Sequence, residues 1–245
     1  DTKYYPEDAE RRQLLYWGLA RLTQMSPAAH LEACQGLLAF SNTFTDTMDT
    51  LGIMLNSTHK PMRDTAHEYL NEHFEEWKDN PNLHEAWLTL KVSDTSDDVI
   101  RQIRDMMNNP AHYNPLNPNH SHMFSRFAVS NPQFHRADGE GYRLMADVIL
   151  MLDKTNPEIT ARMTTKLTQW KSLDATHQEQ MLIQLRRLEK EAHSAPVLET
   201  VQKGLKDAPK PLTAAILAMP EAAAAPAEAP DESPEESMTL RVTTV

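Results

Sequence analysis

Apolar residues recur at intervals of three and four along most of this chain, and many of the runs open on a helix-start signal. Phe44, Met48, Leu51 and Met54 follow at four, three and three residues, the repeat that places side chains on one face of an α-helix. Asn80-Pro81 stands before Leu83, Trp87 and Leu90, Asn117-Pro118 before Met123, Phe124 and Phe127, and Asn156-Pro157-Glu158 before Ile159, Met163, Leu167 and Trp170. Asparagine is a good N-cap, and proline at the first helical position loses no hydrogen bond there. Tyr5-Pro6-Glu7-Asp8 and Lys60-Pro61 open two more runs, and Asp174 caps a long one through Met181, Leu182, Leu185 and Leu188. The first helix is expected to turn Leu14, Leu15, Trp17, Gly18 and Leu22 inward. The fourth is expected to carry Ala66, Tyr69, Leu70, Phe74 and Trp77 on one side, and Ser93-Asp94-Thr95 is expected to lead into Val99, Ile100, Ile103 and Met106. Only 6 glycines in 245 residues leave little material for a turn-rich sheet protein.

About ten helices of roughly 15–20 residues, joined by short loops, suit antiparallel hairpins stacked into a HEAT- or armadillo-like superhelix. No fixed sequence repeat accompanies that rhythm. The helical domain is expected over residues 1–207. From 208 to 245 the composition changes: Pro209, Pro211, Pro220, Pro226, Pro230 and Pro234 interrupt an Ala/Glu-rich stretch that lacks the apolar content to fold alone. It is expected to be a flexible tail with one short helix at Leu212 to Met219 and a β-prone end from Met238 to Val245.

The net charge of −11 argues against direct nucleic-acid binding, which needs a basic surface. No run reaches the roughly 18–20 apolar residues of a membrane span. The single cysteine, Cys34, cannot form an internal disulfide and sits in an apolar run as a buried small hydrophobe. That suits a reducing compartment, and the Asn56-Ser57-Thr58 sequon is expected to be unused.

Chemistry is sparse. His67-Glu68 and His84-Glu85 begin the zinc motif H-E-x-x-H, but Asn71 and Leu88 stand where the second histidine belongs, so neither forms that site. His112, His120, His122 and His135 lie close in sequence without cysteines beside them, a weak metal pattern. Serine elbows, phosphate loops and dinucleotide fingerprints do not occur. No cofactor or metal is expected. Asp138-Gly139-Glu140-Gly141-Tyr142 reads as a tight interhelical turn.

The segment from Asn117 to Tyr142, NPNHSHMFSRFAVSNPQFHRADGEGY, resembles the C-terminal domain of bacterial-type aminopeptidase N, where N-P-N-R-x-R, N-P and F-H-x-x-D-G-x-G-Y follow in this order. Phe44-Thr45-Asp46, Glu75-Glu76-Trp77-Lys78, Asn156-Pro157, Ala161-Arg162 and Ser172-Leu173-Asp174-Ala175 extend the match. The resemblance implies an all-α superhelical bowl that caps a catalytic domain lying upstream in the family. It also implies that three arginines would face a peptide cavity. Arg162 keeps one of those positions, while His120 and His122 replace the other two, and His84-Glu85-Ala86-Trp87 stands where the family has D-K-W-F.

The expected function is therefore a non-catalytic accessory subunit of a larger assembly, with other protein subunits as partners. A start at Asp1 suits a processed, mitochondrial chain, and the cytoplasm is the other location considered. The alternative is a C-terminal fragment or subunit of a zinc aminopeptidase that shapes the peptide cavity.

Overall fold

The computed structural model describes residues 6–209. Among them are twelve α-helices and no strand. In order they are α1 (Pro6–Met25), α2 (Leu31–Phe40), α3 (Phe44–Leu55), α4 (Lys60–Glu72), α5 (Phe74–Trp77), α6 (Pro81–Lys91), α7 (Val99–Met107), α8 (His122–Ser130), α9 (Glu140–Leu152), α10 (Pro157–Leu167), α11 (Ala175–Glu191) and α12 (Ala195–Leu205). None is long and apolar enough to cross a membrane.

The start signals work as their chemistry requires. The Asn80 carboxamide accepts from the backbone N–H groups of Asn82 and Leu83, Asn156 from Ile159, and Asp174 from Thr176 and His177. Each satisfies donors that the first helical turn leaves without partners. Asn117 and Asn131 do the same for 3-10 turns, Pro118–Ser121 and Pro132–His135.

Helices touch near neighbours in chain order, as in a stacked solenoid. α3 packs on α1, α2, α4 and α6; α6 packs on α8, and α8 on α10; α9 packs on α7, α10 and α11, with α12 across α10 and α11. A continuous core runs through this stack, from Leu51, Met54 and Leu70 to Trp87, Phe124 and Tyr142, and on to Leu185 and Val201.

Two expectations need correction. The run expected as the fourth helix is broken at His73, whose ring donates through Nδ1–H to the Tyr69 carbonyl (2.8 Å) and stacks on the Tyr69 ring. Ser93-Asp94-Thr95 leads into α7, whose Val99, Ile100, Ile103 and Met106 are buried as expected, and Asp94 turns into the interior. The larger difference is in α1. Its packed side is Tyr16, Leu19 and Thr23, whereas Leu14, Leu15, Trp17 and Leu22 face solvent, Leu14 at 69% exposure and Trp17 at 62%. α1 is apolar on both sides, so its sequence does not single out an inner face. The tail expected from 208 to 245, with its short helix and β-prone end, lies outside the described residues apart from Ala208 and Pro209.

Candidate functional site

Pro118–Ser121 is a tight turn, and it sends the two histidines of N-P-N-H-S-H in opposite directions. His120 is buried at 6% exposure and His122 is exposed. The Asn114 backbone N–H donates to His120 Nδ1 (3.0 Å), so the proton of the neutral ring sits on Nε2. The edge of this ring meets His84 at 4.6 Å, and Tyr113 lies beside it at 5.9 Å. Burial lowers the His120 pKa, and the neighbouring His84 lowers it further. His84 Nε2 pairs in turn with the His112 carbonyl (2.8 Å), and His122 Nδ1 with Glu85 Oε1 (2.9 Å).

The positions at which the chain departs from the pattern it resembles, 84, 85, 120 and 122, are thus neighbours in space. Arg162 lies apart from them in its bonding. It is exposed on α10, and no ion pair, hydrogen bond or ring contact among the described residues joins its guanidinium to either histidine.

The segment that carries the resemblance has a structural task. Asn131 Nδ2 donates to the carbonyls of Val92 and Asp94 (2.8 and 2.7 Å), Gln133 Nε2 to Thr95 O (2.9 Å), and Arg136 Nη1 to Asp97 O (2.6 Å). Four carbonyls of the 92–97 loop, which no helix satisfies, are met by one segment. Downstream, Gly139 adopts φ +74, and a Cβ at Gly141 would come within 2.3 Å of the Phe134 carbonyl. Glycine is required at both, the first for its backbone and the second for close approach. His135 Nδ1 pairs with the Tyr142 hydroxyl (2.8 Å), and His177 Nε2 with the His135 carbonyl (2.8 Å).

The loop so held presents Asp94, which the sequence did not single out as a buried charge. Its carboxylate is at 1% exposure as a residue. It accepts from His67 Nε2 (2.8 Å), Gln102 Nε2 (3.2 Å) and the Ser96 backbone (2.8 Å), and Arg63 Nε stands 3.5 Å away. Burial alone would raise its pKa, but the hydrogen bonds from His67 and Ser96 hold it below the usual carboxylate range. No local signal marks this residue, because its side-chain partners lie on α4 and α7.

Nucleophilic chemistry has little to draw on. Cys34 is fully buried, and burial pushes its thiol pKa up, away from the thiolate form that reacts. Among the described residues, no three His, Cys, Asp or Glu side chains converge as a metal site would need.

Three histidines whose rings are partly shielded from water set a pH dependence. His112, His120 and His135 all have lowered pKa values, each chiefly through burial. Each binds a proton less readily folded than unfolded, so the unfolded chain takes up more protons below about pH 6.5 and stability falls with pH there. His177, raised by its Asp174 hydrogen bond, opposes them. With three groups against one, the melting temperature should fall between pH 7 and pH 5, by less in His120→Asn. A melting temperature that rises over that range would contradict this balance.

A family model described as "Domain of unknown function (DUF3458_C) ARM repeats" matches residues 1–206. Curated aminopeptidase N from Haemophilus influenzae is 29% identical over 170 residues, covering 68% of this chain and 19% of that protein. Aminopeptidase N from Escherichia coli is 27% identical over 168 residues, with 67% and 19% covered. The Caulobacter vibrioides aminopeptidase N is 31% identical over 132 residues, 53% of this chain and 15% of its own length. The chain therefore spans about a fifth of the length of these relatives. Among solved structures, Legionella pneumophila aminopeptidase A in complex with aspartic acid superposes with a TM-score of 0.74 at 27% identity, covering 84% of this chain and 25% of that one.

Proposed function

Starting from the fact that the chain belongs to the family of ARM-repeat C-terminal domains of aminopeptidase N-type proteins, we propose that it is a non-catalytic packing domain, an accessory subunit within a larger protein assembly. The observation that carries this reading is the outward face of α1. Leu14, Trp17 and Met25 follow one another down the side opposite Tyr16, Leu19 and Thr23, with Met25 at 81% exposure and Leu15, Leu22 and Phe40 flanking them. The Arg21 guanidinium lies 5.8 Å from the centre of the Trp17 ring on the same stripe. A helix apolar on both sides belongs in an interior, and large apolar side chains grouped on a surface mark a protein contact. A reducing compartment, mitochondrial matrix or cytoplasm, suits the one buried thiol.

A second reading draws on Arg162. It is retained from the family pattern, exposed, and without an ion pair among the described residues, as an arginine facing a peptide cavity would be. In that reading the chain is the C-terminal part of a zinc aminopeptidase, and the α1 face meets the catalytic part.

Isolation of the native assembly followed by mass spectrometry separates the two, since only the second requires a polypeptide bearing H-E-x-x-H. Leu14→Asp with Trp17→Asp should weaken partner binding by about 30-fold or more, as for a central interface residue. The same pair should leave the melting of the isolated chain almost unchanged, because exposed positions cost little. Arg162→Ala should leave a scaffold assembly intact. Loss of peptidase activity on Arg162→Ala, with folding preserved, would establish the second reading instead. Undiminished assembly by the Leu14/Trp17 double variant would remove α1 as the contact.

A further inference from the structure

A cleft of about 330 Å³ opens between α6, α7 and the loop that follows α7. Its size is at the small end of the range for ligand pockets, roughly 300–1,000 Å³. Trp87, Ile103 and Met106, all nearly buried, contribute an apolar floor, while Lys91, Asn109 and His112 supply polar groups at its wall.

Lys91 is the unusual member. The chain has 35 acidic residues against 24 basic ones, yet every close partner of this ammonium group is neutral or aromatic. It donates to Asn71 Oδ1 (3.1 Å), lies 3.4 Å from His67 Nδ1, and sits 5.4 Å from the centre of the Trp87 ring. His67 gives its Nε2 proton to Asp94, so its Nδ1 lone pair faces Lys91. Two of the three ammonium protons are used in this way, and one remains.

The nearby acids are committed elsewhere. Asp94 is held by Arg63, His67 and Gln102, and Asp105, at the mouth of the cleft, by Arg101 at 3.3 Å. Burial pulls the Lys91 pKa down, and the Lys91 charge helps to keep His112 neutral. Asp94 acts on this ammonium group only through space, from behind His67. A partly desolvated cation with no acid bonded to it is costly, and an anion entering the cleft would relieve that cost.

We propose that this cleft binds a small monocarboxylic acid with an apolar or aromatic body, its carboxylate on Lys91 Nζ and its body against Trp87, Ile103 and Met106. Asn109 and the neutral His112 ring offer further hydrogen-bonding groups to the second oxygen. The site is independent of the α1 face, and it stands whichever assembly the chain joins.

Phenylacetate and its neutral isostere phenylacetamide are suitable probes for the full chain, with 13C-methyl methionine resonances as the readout. Met106→Leu assigns the Met106 signal. Phenylacetate should shift that signal and bind at least about tenfold more tightly than the amide, as one good charge-assisted hydrogen bond would give. Lys91→Met keeps the apolar stem, and it should bring the acid down to the affinity of the amide. The amide comparison uses the unaltered protein, so it holds even if Lys91→Met fails to fold. Equal affinity of acid and amide, shifts confined to methionines away from the cleft, or full acid binding by a folded Lys91→Met variant would each overturn the proposal.

Discussion

Replacing Trp87 by alanine should destabilise the domain by about 3–5 kcal/mol, the usual cost of deleting a large buried aromatic side chain. Trp87 is 1% exposed, with Phe74 at 4.7 Å and His112 at 5.1 Å between ring centres. Its indole Nε1–H donates to the Leu70 carbonyl (2.9 Å), from α6 to α4. The variant therefore loses packing across the middle of the stack and leaves an interhelical acceptor without its donor. Because domains are stable by only about 5–15 kcal/mol, a large part of the margin disappears. Urea unfolding followed by far-ultraviolet circular dichroism measures it. A loss below about 1.5 kcal/mol would show that the surrounding helices collapse onto the gap or that this packing matters less than its burial indicates.

Asp94→Ala should rank next, through a different mechanism. Removing one member of a buried ionic cluster strands the others, at about 3–5 kcal/mol when water cannot reach them. Arg63 and His67 each keep 17% side-chain exposure, and Arg63 also donates to the Ser57 carbonyl (2.6 Å), so the lower end of that range is expected. The stabilisation has a definite pH window. The Asp94 pKa is lower folded than unfolded, so its contribution is complete above the ordinary carboxylate pKa of about 3.9 and disappears as pH falls through the lower folded value. Difference melting curves of the unaltered protein and Asp94→Ala should converge in strong acid. A gap independent of pH would mean that the loss comes from loop packing rather than from charge.

Much of the helix plan was legible because it rests on local chemistry. Asn80, Asn156 and Asp174 cap because their side-chain oxygens reach N–H groups two or three residues ahead, a relation contained in a few consecutive residues. The Gly139-Glu140-Gly141 turn was legible for the same reason. The candidate site was legible only in part. N-P-N-H-S-H marked out 120 and 122, but nothing local says that one ring is buried and the other pairs with Glu85. Those outcomes depend on which neighbour stands across the gap, and the neighbours, His84 and Glu85, are on α6.

α1 shows where sequence patterning stops working. A hydrophobic stripe identifies the inner face of a helix only when the other face is polar, and α1 has apolar residues on both. Asp94 shows the complementary case, a loop residue with no local mark of burial whose place was decided by Arg63, His67, Gln102 and Asn131.

The sequence by itself therefore determined a helical domain, the starts of several helices and the family it belongs to, since caps, period and motif are relations along the chain. Only the tertiary structure decided which side of α1 stays in water, where Asp94 is buried, and that Lys91 faces a cleft with no acid bonded to it, because each depends on residues that meet only once the helices are stacked.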